Sequence, residues 1–487
     1  MCLSWHAVLH LGHRRGFILR SASAKSIFVA GTASHVGKSW MATAICRYLR
    51  RRGLRVAPFK AQNMSNNSAP LAGGGEIGRA QLVQAEACGV QPTSDMNPIL
   101  LKPSSDSGCQ VILNGKVWRN LSASTYYEQF EELFGQVLAA YSRLAQQYEY
   151  IVIEGAGSVA ELNLRSRDLV NFGLATRVGA PALLVGDIDR GGIFASLIGT
   201  IGLLTEEERN LVRAFAVNRF RGDMALFADG VGILEEKTGR PCLGVFPMLP
   251  GTEIDAEDGV NMDELPNPSL ADVAVVSLPR ISNITDFQLL RGIRRITTPV
   301  DRQYRCIILP GTKSTMADLQ WMRDRGLDTW ILNQYAAGAR IIGICGGYQM
   351  MGETIEDPGA AESNRKQMNG LGLLPVNTVM EPVKTTRQVQ AVTPSGVAFS
   401  AYEIHMGVTA RPHGAMAFAQ TEYGPDGMRE NNCVGTYLHG ALENAGIVRE
   451  LLDIVVEPRQ PKQQAYDSLA EWFETSANIP LFNDLYL

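Results

Sequence analysis

Ser26-Ile27-Phe28-Val29-Ala30-Gly31-Thr32-Ala33-Ser34-His35-Val36-Gly37-Lys38-Ser39 is an apolar, β-branched run that turns through small residues and closes on Gly-Lys-Ser. A strand, a glycine-rich turn and a helix start in that order form a phosphate cradle. The glycines let backbone N–H groups close around phosphate oxygens, and the helix N-terminus adds positive potential. Lys38 then reaches the terminal phosphates, and Ser39 is placed to hold Mg²⁺. The strict form of the loop has glycine at position 32; here Thr32 stands there, with Gly31 one place earlier. A strand that delivers phosphate to a helix N-terminus belongs to an α/β sheet with helices on both faces.

The same alternation continues outward. Strands are expected at 26–31, 55–60, 150–154, 181–187, 214–220 and 242–246, separated by amphipathic stretches at 38–52, 76–89, 168–178 and 205–213. The strands read as near-continuous apolar runs, which suits parallel strands buried on both faces of a right-handed doubly wound sheet. Glu154 ends one such run just before Gly155-Ala156-Gly157. A carboxylate at the carboxyl edge of the sheet, followed by a turn that admits a ligand, is a candidate second Mg²⁺ ligand; a strand-end surface acid is the plainer alternative.

At 247–268 the text becomes rich in Pro, Gly, Asp, Glu and Asn, and a new alternating series starts at 271. The expected plan is a dispensable N-terminal extension at 1–24, a phosphate-loop domain at 25–248, a linker at 249–270, a second α/β domain at 271–460 and a tail at 461–487. The fold class is therefore α/β, with two doubly wound domains. Strands of the second series fall at 271–278, 305–310 and 340–344, followed by β-rich text containing 402–405 and 434–438 and a closing helix at 441–456.

In that second series Ile341-Ile342-Gly343-Ile344-Cys345-Gly346-Gly347-Tyr348-Gln349 is a strand turning sharply into a helix. Small neighbours permit a strained turn that pushes the thiol outward at a helix N-terminus, where it becomes a better nucleophile. A base is needed, and His439 in Gly435-Thr436-Tyr437-Leu438-His439-Gly440 ends a later strand. Backbone N–H groups of Gly346 and Gly311 are candidates for an oxyanion hole. A buried cysteine and a core histidine are the bland readings of the same pair.

Composition narrows the classes. A chain of 487 residues exceeds one ordinary domain. A net charge of −4 with pI near 6.1 argues against a bulk nucleic-acid binder, and no uncharged stretch approaches the ~20 residues of a membrane helix. The eight cysteines are scattered without a Cys-x-x-Cys pair, so neither a zinc site nor a disulfide framework is expected and the compartment reads as cytoplasmic. Residues 1–75 contain no Asp or Glu, and 1–24 weakly resemble a transit peptide.

Gly343–Gln349 with Tyr437–Gly440 resembles class I glutamine amidotransferase domains, and the first half resembles dethiobiotin-synthetase-like amide-forming ligases, whose loop shares the Thr32 departure. The two halves in this order also carry Phe59-Lys60-Ala61-Gln62-Asn63-Met64-Ser65-Asn66-Asn67, Asn97-Pro98-Ile99-Leu100-Leu101-Lys102-Pro103, Asp189-Arg190-Gly191-Gly192, Asn218-Arg219-Phe220-Arg221-Gly222-Asp223 and Tyr402-Glu403-Ile404-His405-Met406-Gly407. Together they resemble the cobyric acid synthases of cobalamin biosynthesis over about residues 26–456.

That resemblance implies that ATP activates a corrinoid carboxylate as an acyl phosphate and that ammonia from glutamine turns it into the amide. The substrate of that family is adenosylcobyrinic acid a,c-diamide, amidated at b, d, e and g. By matching motif, Thr32, Gly37, Lys38 and Ser39 would serve the phosphates, Ser39 and Glu154 the Mg²⁺, and Asn218 the adenine. Lys60, Asp189 and Arg190 would lie near the phosphates, and Arg165 and Arg167 would face the corrinoid or simply be solvated.

Two positions depart from the relatives. Ala441 stands where most class I domains have an acid two residues after the histidine, with Glu443 two further on, so no third partner is named for the Cys345–His439 pair. His35-Val36 stands where many relatives carry Asp-Ala, which bears on metal coordination. Cobyrinic acid a,c-diamide synthase and a ParA- or MinD-like ATPase switch are the competing readings. The 59–67 block argues against the first, and Cys345 with His439 against the second. A homo-oligomer is left open.

Overall fold

Two open sheets, each flanked by helices, organise the chain. The computed structural model describes residues 24–104, 108–249, 251, 254–255, 267–457 and 459–487. The expected extension, apart from Ala24, and most of the expected linker lie outside the described residues.

The first sheet runs, edge to edge, Cys242–Pro247, Val212–Phe220, Ala182–Asp187, Lys25–Gly31, Tyr150–Glu154 and Val56–Phe59. Every pairing is parallel. Tyr150–Glu154 and Ala182–Asp187 are buried at every position, which is why these runs show no polar alternation. The chain fills one side of Lys25–Gly31 and later crosses to the other, leaving a crevice at that strand's carboxyl end. The helix Lys38–Arg51 starts there.

Between Val56–Phe59 and Tyr150–Glu154 the chain inserts a four-stranded sheet made of Gln62–Met64, Ile99–Pro103, Gly108–Leu113 and Lys116–Ser122. The helix expected over 76–89 begins only at Arg79, because Glu76–Gly78 pairs with Ser68–Pro70. The Glu76 side chain is drawn inward by Lys102, which fixes those residues as extended chain.

The second open sheet runs Arg294–Ile296, Val273–Val276, Cys306–Leu309, Arg340–Ile344, Cys433–Thr436 and Met428–Glu430, parallel except at the last pair. Beside it stands a mixed sheet built on two long antiparallel strands, Asn377–Val392 and Ala398–Ala410. The second half is thus an open α/β sheet with a large β extension. The extension is what brings Tyr402 to His439, through His439 N to Tyr402 O at 2.9 Å and Tyr402 N to His439 O at 3.0 Å.

Residues 461–487, expected as a tail, form two helices, Lys462–Ser476 and Ile479–Tyr486, that return to the first half. Tyr466, Leu469, Ala470 and Phe473 are spaced as one helical stripe and are buried. The stripe packs on the helix Lys38–Arg51 and on Phe246, with ring centroids of Tyr48 and Phe473 5.3 Å apart. Arg47 adds an ion pair to Asp467 at 2.8 Å. Among the described residues no helix is long and apolar enough to cross a membrane.

Phe473 is fully buried and touches three aromatic rings. Phe473→Ala is expected to destabilise the phosphate-loop half by about 3–5 kcal/mol, read from the denaturant midpoint of that half's transition. An unchanged midpoint would show that these helices do not belong to its core.

Candidate active site

The phosphate loop leaves Gly31 and reaches the helix at Lys38. Gly37 sits at φ 97, and a Cβ there would lie 2.1 Å from Asn218 Nδ2. Only glycine lets Asn218 come so close, and Asn218 Nδ2 donates to Val36 O at 2.8 Å. Asn218, matched to adenine by resemblance, thus stands against the loop backbone, with Thr32 N bonded to Val185 O at 3.0 Å on the other side. Lys38 folds back over Gly31, its Nζ donating to Ala33 O at 2.9 Å and Gly157 O at 2.8 Å.

Glu154 is completely buried under the loop. Ser39 Oγ donates to its Oε1 at 2.8 Å, Lys60 Nζ stands 3.0 Å from the same oxygen, and Gln84 Nε2 donates to Oε2. A buried carboxylate needs such partners. The plainer alternative of a surface acid does not hold.

A cavity of about 1200 Å³ opens above these groups. Lys38, Ser39, Lys60, Asn218, Asp189 and Arg190 all line it, as do Arg165 and Arg167 on its far wall. Arg165 is braced by Leu203 O at 2.9 Å and Glu208 at 3.2 Å, and Arg221 by Asp189 at 2.9 Å. Residues from five separate stretches of sequence meet in this one basic space.

At the second site Cys345 has φ 52 and ψ −108, a conformation that costs a non-glycine residue free energy. It is held by Cys345 N bonded to Thr436 O at 2.8 Å. The thiol donates to Ile404 O at 3.6 Å. A Cβ on Gly346 would lie 2.6 Å from Thr312 Cγ2, and one on Gly311 2.6 Å from His439 Cε1. Glycine is required at both places, so the Gly311 and Gly346 backbones close in on the Cys345–His439 region.

Sequence reasoning named no acid for His439; the structure supplies Asp286. Its Oδ2 lies 2.8 Å from His439 Nδ1, and its Oδ1 accepts from Gly440 N at 2.6 Å. Burial by itself favours the neutral ring, but the Asp286 charge, its hydrogen bond and the Cys345 sulfur outweigh it and lift His439 to about 10. The Tyr402 ring stacks on the imidazole with centroids 5.3 Å apart. Asp286 lies 153 residues before His439 in Asn283-Ile284-Thr285-Asp286-Phe287, which carries no pattern that marks it. Glu443, nearer in sequence, has its pKa raised by burial, and its Oε1 has no hydrogen-bond partner among the described residues.

Beside Cys345 lies a smaller polar cavity lined from both halves: Asn66 and Lys102 from the first, Lys313, Lys384 and Glu362 from the second. Burial raises Glu362 to about 7 against the opposing charge of Lys313. This arrangement offers a cation and an acid at the mouth of a thiol site.

Residues 272–447 match the family described as CobB/CobQ-like glutamine amidotransferase domain, and residues 27–260 match the CobQ/CobB/MinD/ParA nucleotide binding domain. The chain is similar to a cobyric acid synthase of Dehalococcoides mccartyi, 43% identical over 501 residues that cover 96% of this chain and 99% of the relative. One from Parabacteroides distasonis is 46% identical over 94% of this chain and 93% of its own. One from Listeria monocytogenes serotype 4b is 41% identical over 94% and 95%.

If Asp286 holds the imidazole, Asp286→Asn should lower glutamine turnover by about 10²-fold or more. The proton on His439 is retained below its raised pKa and lost as pH rises through it. Removing the Asp286 charge should therefore move the alkaline limb of the glutamine-dependent rate to lower pH. A pH–rate profile superimposable on the parent's would exclude Asp286 from this role.

Proposed function

The chain belongs to the cobyric acid synthase family of glutamine-hydrolysing ligases, and on that premise we propose that its two sites perform one reaction: ATP-dependent amidation of the b, d, e and g carboxylates of adenosylcobyrinic acid a,c-diamide, giving adenosylcobyric acid, with ammonia drawn from glutamine. The observation that carries this reading is the shared wall between the sites. Residues 62–64 line the large basic cavity, and Asn66, two residues on, lines the cavity beside Cys345.

In the thiol site His439 takes the Cys345 proton, Sγ bonds to the glutamine carboxamide carbon as the carbonyl π pair moves onto oxygen, and N–H groups of Gly311 and Gly346 stabilise the oxyanion. His439, steadied by Asp286, passes its proton to the nitrogen as the C–N bond breaks, and ammonia leaves. Water then attacks the thioester with His439 as base, releasing glutamate and restoring the thiol. Lys313 offers a partner for the α-carboxylate of glutamine and Glu362 one for its α-ammonium.

In the large cavity a corrinoid carboxylate oxygen attacks the terminal phosphorus of ATP, and ADP departs. Ammonia then displaces phosphate from the acyl phosphate, giving the amide. Lys38, once drawn from Ala33 O and Gly157 O to phosphate oxygens, offsets their charge. Ser39 and Glu154, a hydroxyl and a carboxylate side by side, suit a cation that takes one or two protein oxygens and completes its shell with phosphate and water. They would hold Mg²⁺, which supplies charge neutralisation at the phosphates. Arg165, Arg167 and Arg190 give a carboxylate-rich substrate a cationic wall. The scattered cysteines support a cytoplasmic setting.

Incubation with ATP, glutamine and adenosylcobyrinic acid a,c-diamide, followed by mass spectrometry, should show four successive gains of one amide each. Amidation of a and c in the unamidated acid, with b, d, e and g left free, would point instead to the sister diamide synthase. Lys38→Ala should lower amidation by about 10²–10³-fold with either glutamine or ammonium as nitrogen source. Cys345→Ser should fail with glutamine yet amidate with concentrated ammonium at mildly alkaline pH, where free NH₃ is present. Full glutamine-driven activity in Cys345→Ser would place the nucleophile elsewhere.

A further inference from the structure

His439 is oriented by two neighbours, and each is gripped from the phosphate-loop half. The first is Asp286, carried on the single 3-10 turn Ile284–Phe287 and entered through Asn283 at φ 52. A short turn begun on a left-handed residue needs outside support. It comes from Asn67, whose Oδ1 accepts from Ile284 N at 3.0 Å, and from Ser68 N, which donates to Asn283 Oδ1 at 3.3 Å. All four residues are buried, so solvent does not compete for these bonds.

The second neighbour is Tyr402. Its ring stacks on the imidazole and its backbone exchanges two hydrogen bonds with His439. Arg79 Nη2 donates to the Tyr402 hydroxyl at 2.6 Å, with the guanidinium carbon 5.0 Å from the ring centroid. Arg79 Nη2 also donates to Ser68 O at 3.1 Å, and Arg79 N to Asn67 O at 3.1 Å. Asn67, Ser68 and Arg79 therefore form one strut, continuous with residues 62–64 of the large cavity's wall.

We propose that Asn67 and Arg79 are positioning residues for glutamine hydrolysis: they hold the Asp286 turn and the Tyr402 ring, and through them the His439 imidazole, so the thiol site is competent only while the phosphate-loop half is docked in this geometry. The proposal rests on the reading of Cys345 and His439 as the glutaminase pair. A displacement of about 1 Å at a reacting group can cost about 10²-fold in rate. Loss of the strut thus suffices to silence the site without touching a catalytic atom. Ammonia release is thereby tied to the half that consumes it.

The test uses the full chain carrying Asn67→Ala, Arg79→Met or Tyr402→Phe. Asp255 keeps Arg459 at 3.1 Å and Lys462 at 3.4 Å when Arg79 is replaced, so that variant does not leave Asp255 unpaired. Glutamine-driven kcat should fall about 10–100-fold in Asn67→Ala and Arg79→Met, while amidation driven by ammonium stays within about twofold of the parent and reports an intact fold. The titratable or charged groups around His439 are Asp286, Cys345 and Tyr402, with Arg79 and Glu443 behind Tyr402. In Asn67→Ala the alkaline limb of the glutamine rate should shift to lower pH, an effect that general loosening would not produce. Arg79→Met and Tyr402→Phe should be non-additive in combination. Glutamine-driven kcat within about twofold of the parent, or equal losses with glutamine and ammonium, would overturn the proposal. Cys345→Ser run alongside separates the levels. If it abolishes glutamine use while Asn67→Ala does not, only the strut is wrong; if it keeps glutamine use, the underlying reading falls and the strut with it.

Discussion

Glu76 cannot stand alone. Its carboxylate is 2% exposed, and a charge that deep in protein must be paired. One partner, Lys102, comes from its own half, and the other, Lys384, comes from the long antiparallel strand of the opposite half. Burial works against the carboxylate, but the two lysines hold it well below the usual range, while burial takes Lys102 down to about 7 despite Glu76. Separating the halves would remove Lys384 and leave Glu76 paired with Lys102 alone. Across the same seam Asn67 meets Ile284, Arg79 meets Tyr402 and Asn66 reaches the cavity beside Cys345.

Both sites use the same local device, a parallel strand that turns abruptly into a helix N-terminus, but they load it differently. In the phosphate loop the left-handed positions are His35 at φ 60 and Gly37 at φ 97, and the loop backbone faces a wide basic cavity. In the thiol site the left-handed position is Cys345 itself, and the strain is held by the bond to Thr436 and by close packing against Thr312. The first site opens as a cavity of about 1200 Å³ with Arg165, Arg167 and Arg190 in its wall. The second is nearly sealed, with His439 and Asp286 at 0% and 1% exposure, so the charge pair acts in a poorly solvated space.

Much of the helix packing and all of the second site's electrostatics come from residues distant in sequence. Lys462–Ser476 reaches back to cover the helix Lys38–Arg51, and Arg459 and Lys462 pair with Asp255 near the mouth of the large cavity. The C-terminal segment thereby closes the half in which the chain began.

The central strands were legible because a strand buried on both faces must be apolar throughout, and 150–154 and 340–344 meet the expected bounds without adjustment. The phosphate loop and the Cys345 elbow were legible because their geometry is dictated within a few residues by glycine, lysine and serine or cysteine. The helix Lys462–Ser476 lies where a tail was expected; even its helical stripe would not have named the first half as partner, since periodicity names a buried face and not what covers it. The strand at Glu76–Gly78 was read as helix, because its extended form is imposed by a buried charge pair and not by local propensity. Asp286 was out of reach altogether: it meets His439 across 153 residues, on a turn that depends on bonds from the other half. The sequence by itself thus determined the two sheets, the phosphate loop and the sharp strand-to-helix turn at Cys345, because these follow from short-range sterics and hydrophobic periodicity. Only the tertiary structure decided the acid behind His439, the mixed lining of the thiol cavity and the strut between the sites, because buried polar partners are chosen by what chain closure brings within hydrogen-bond reach.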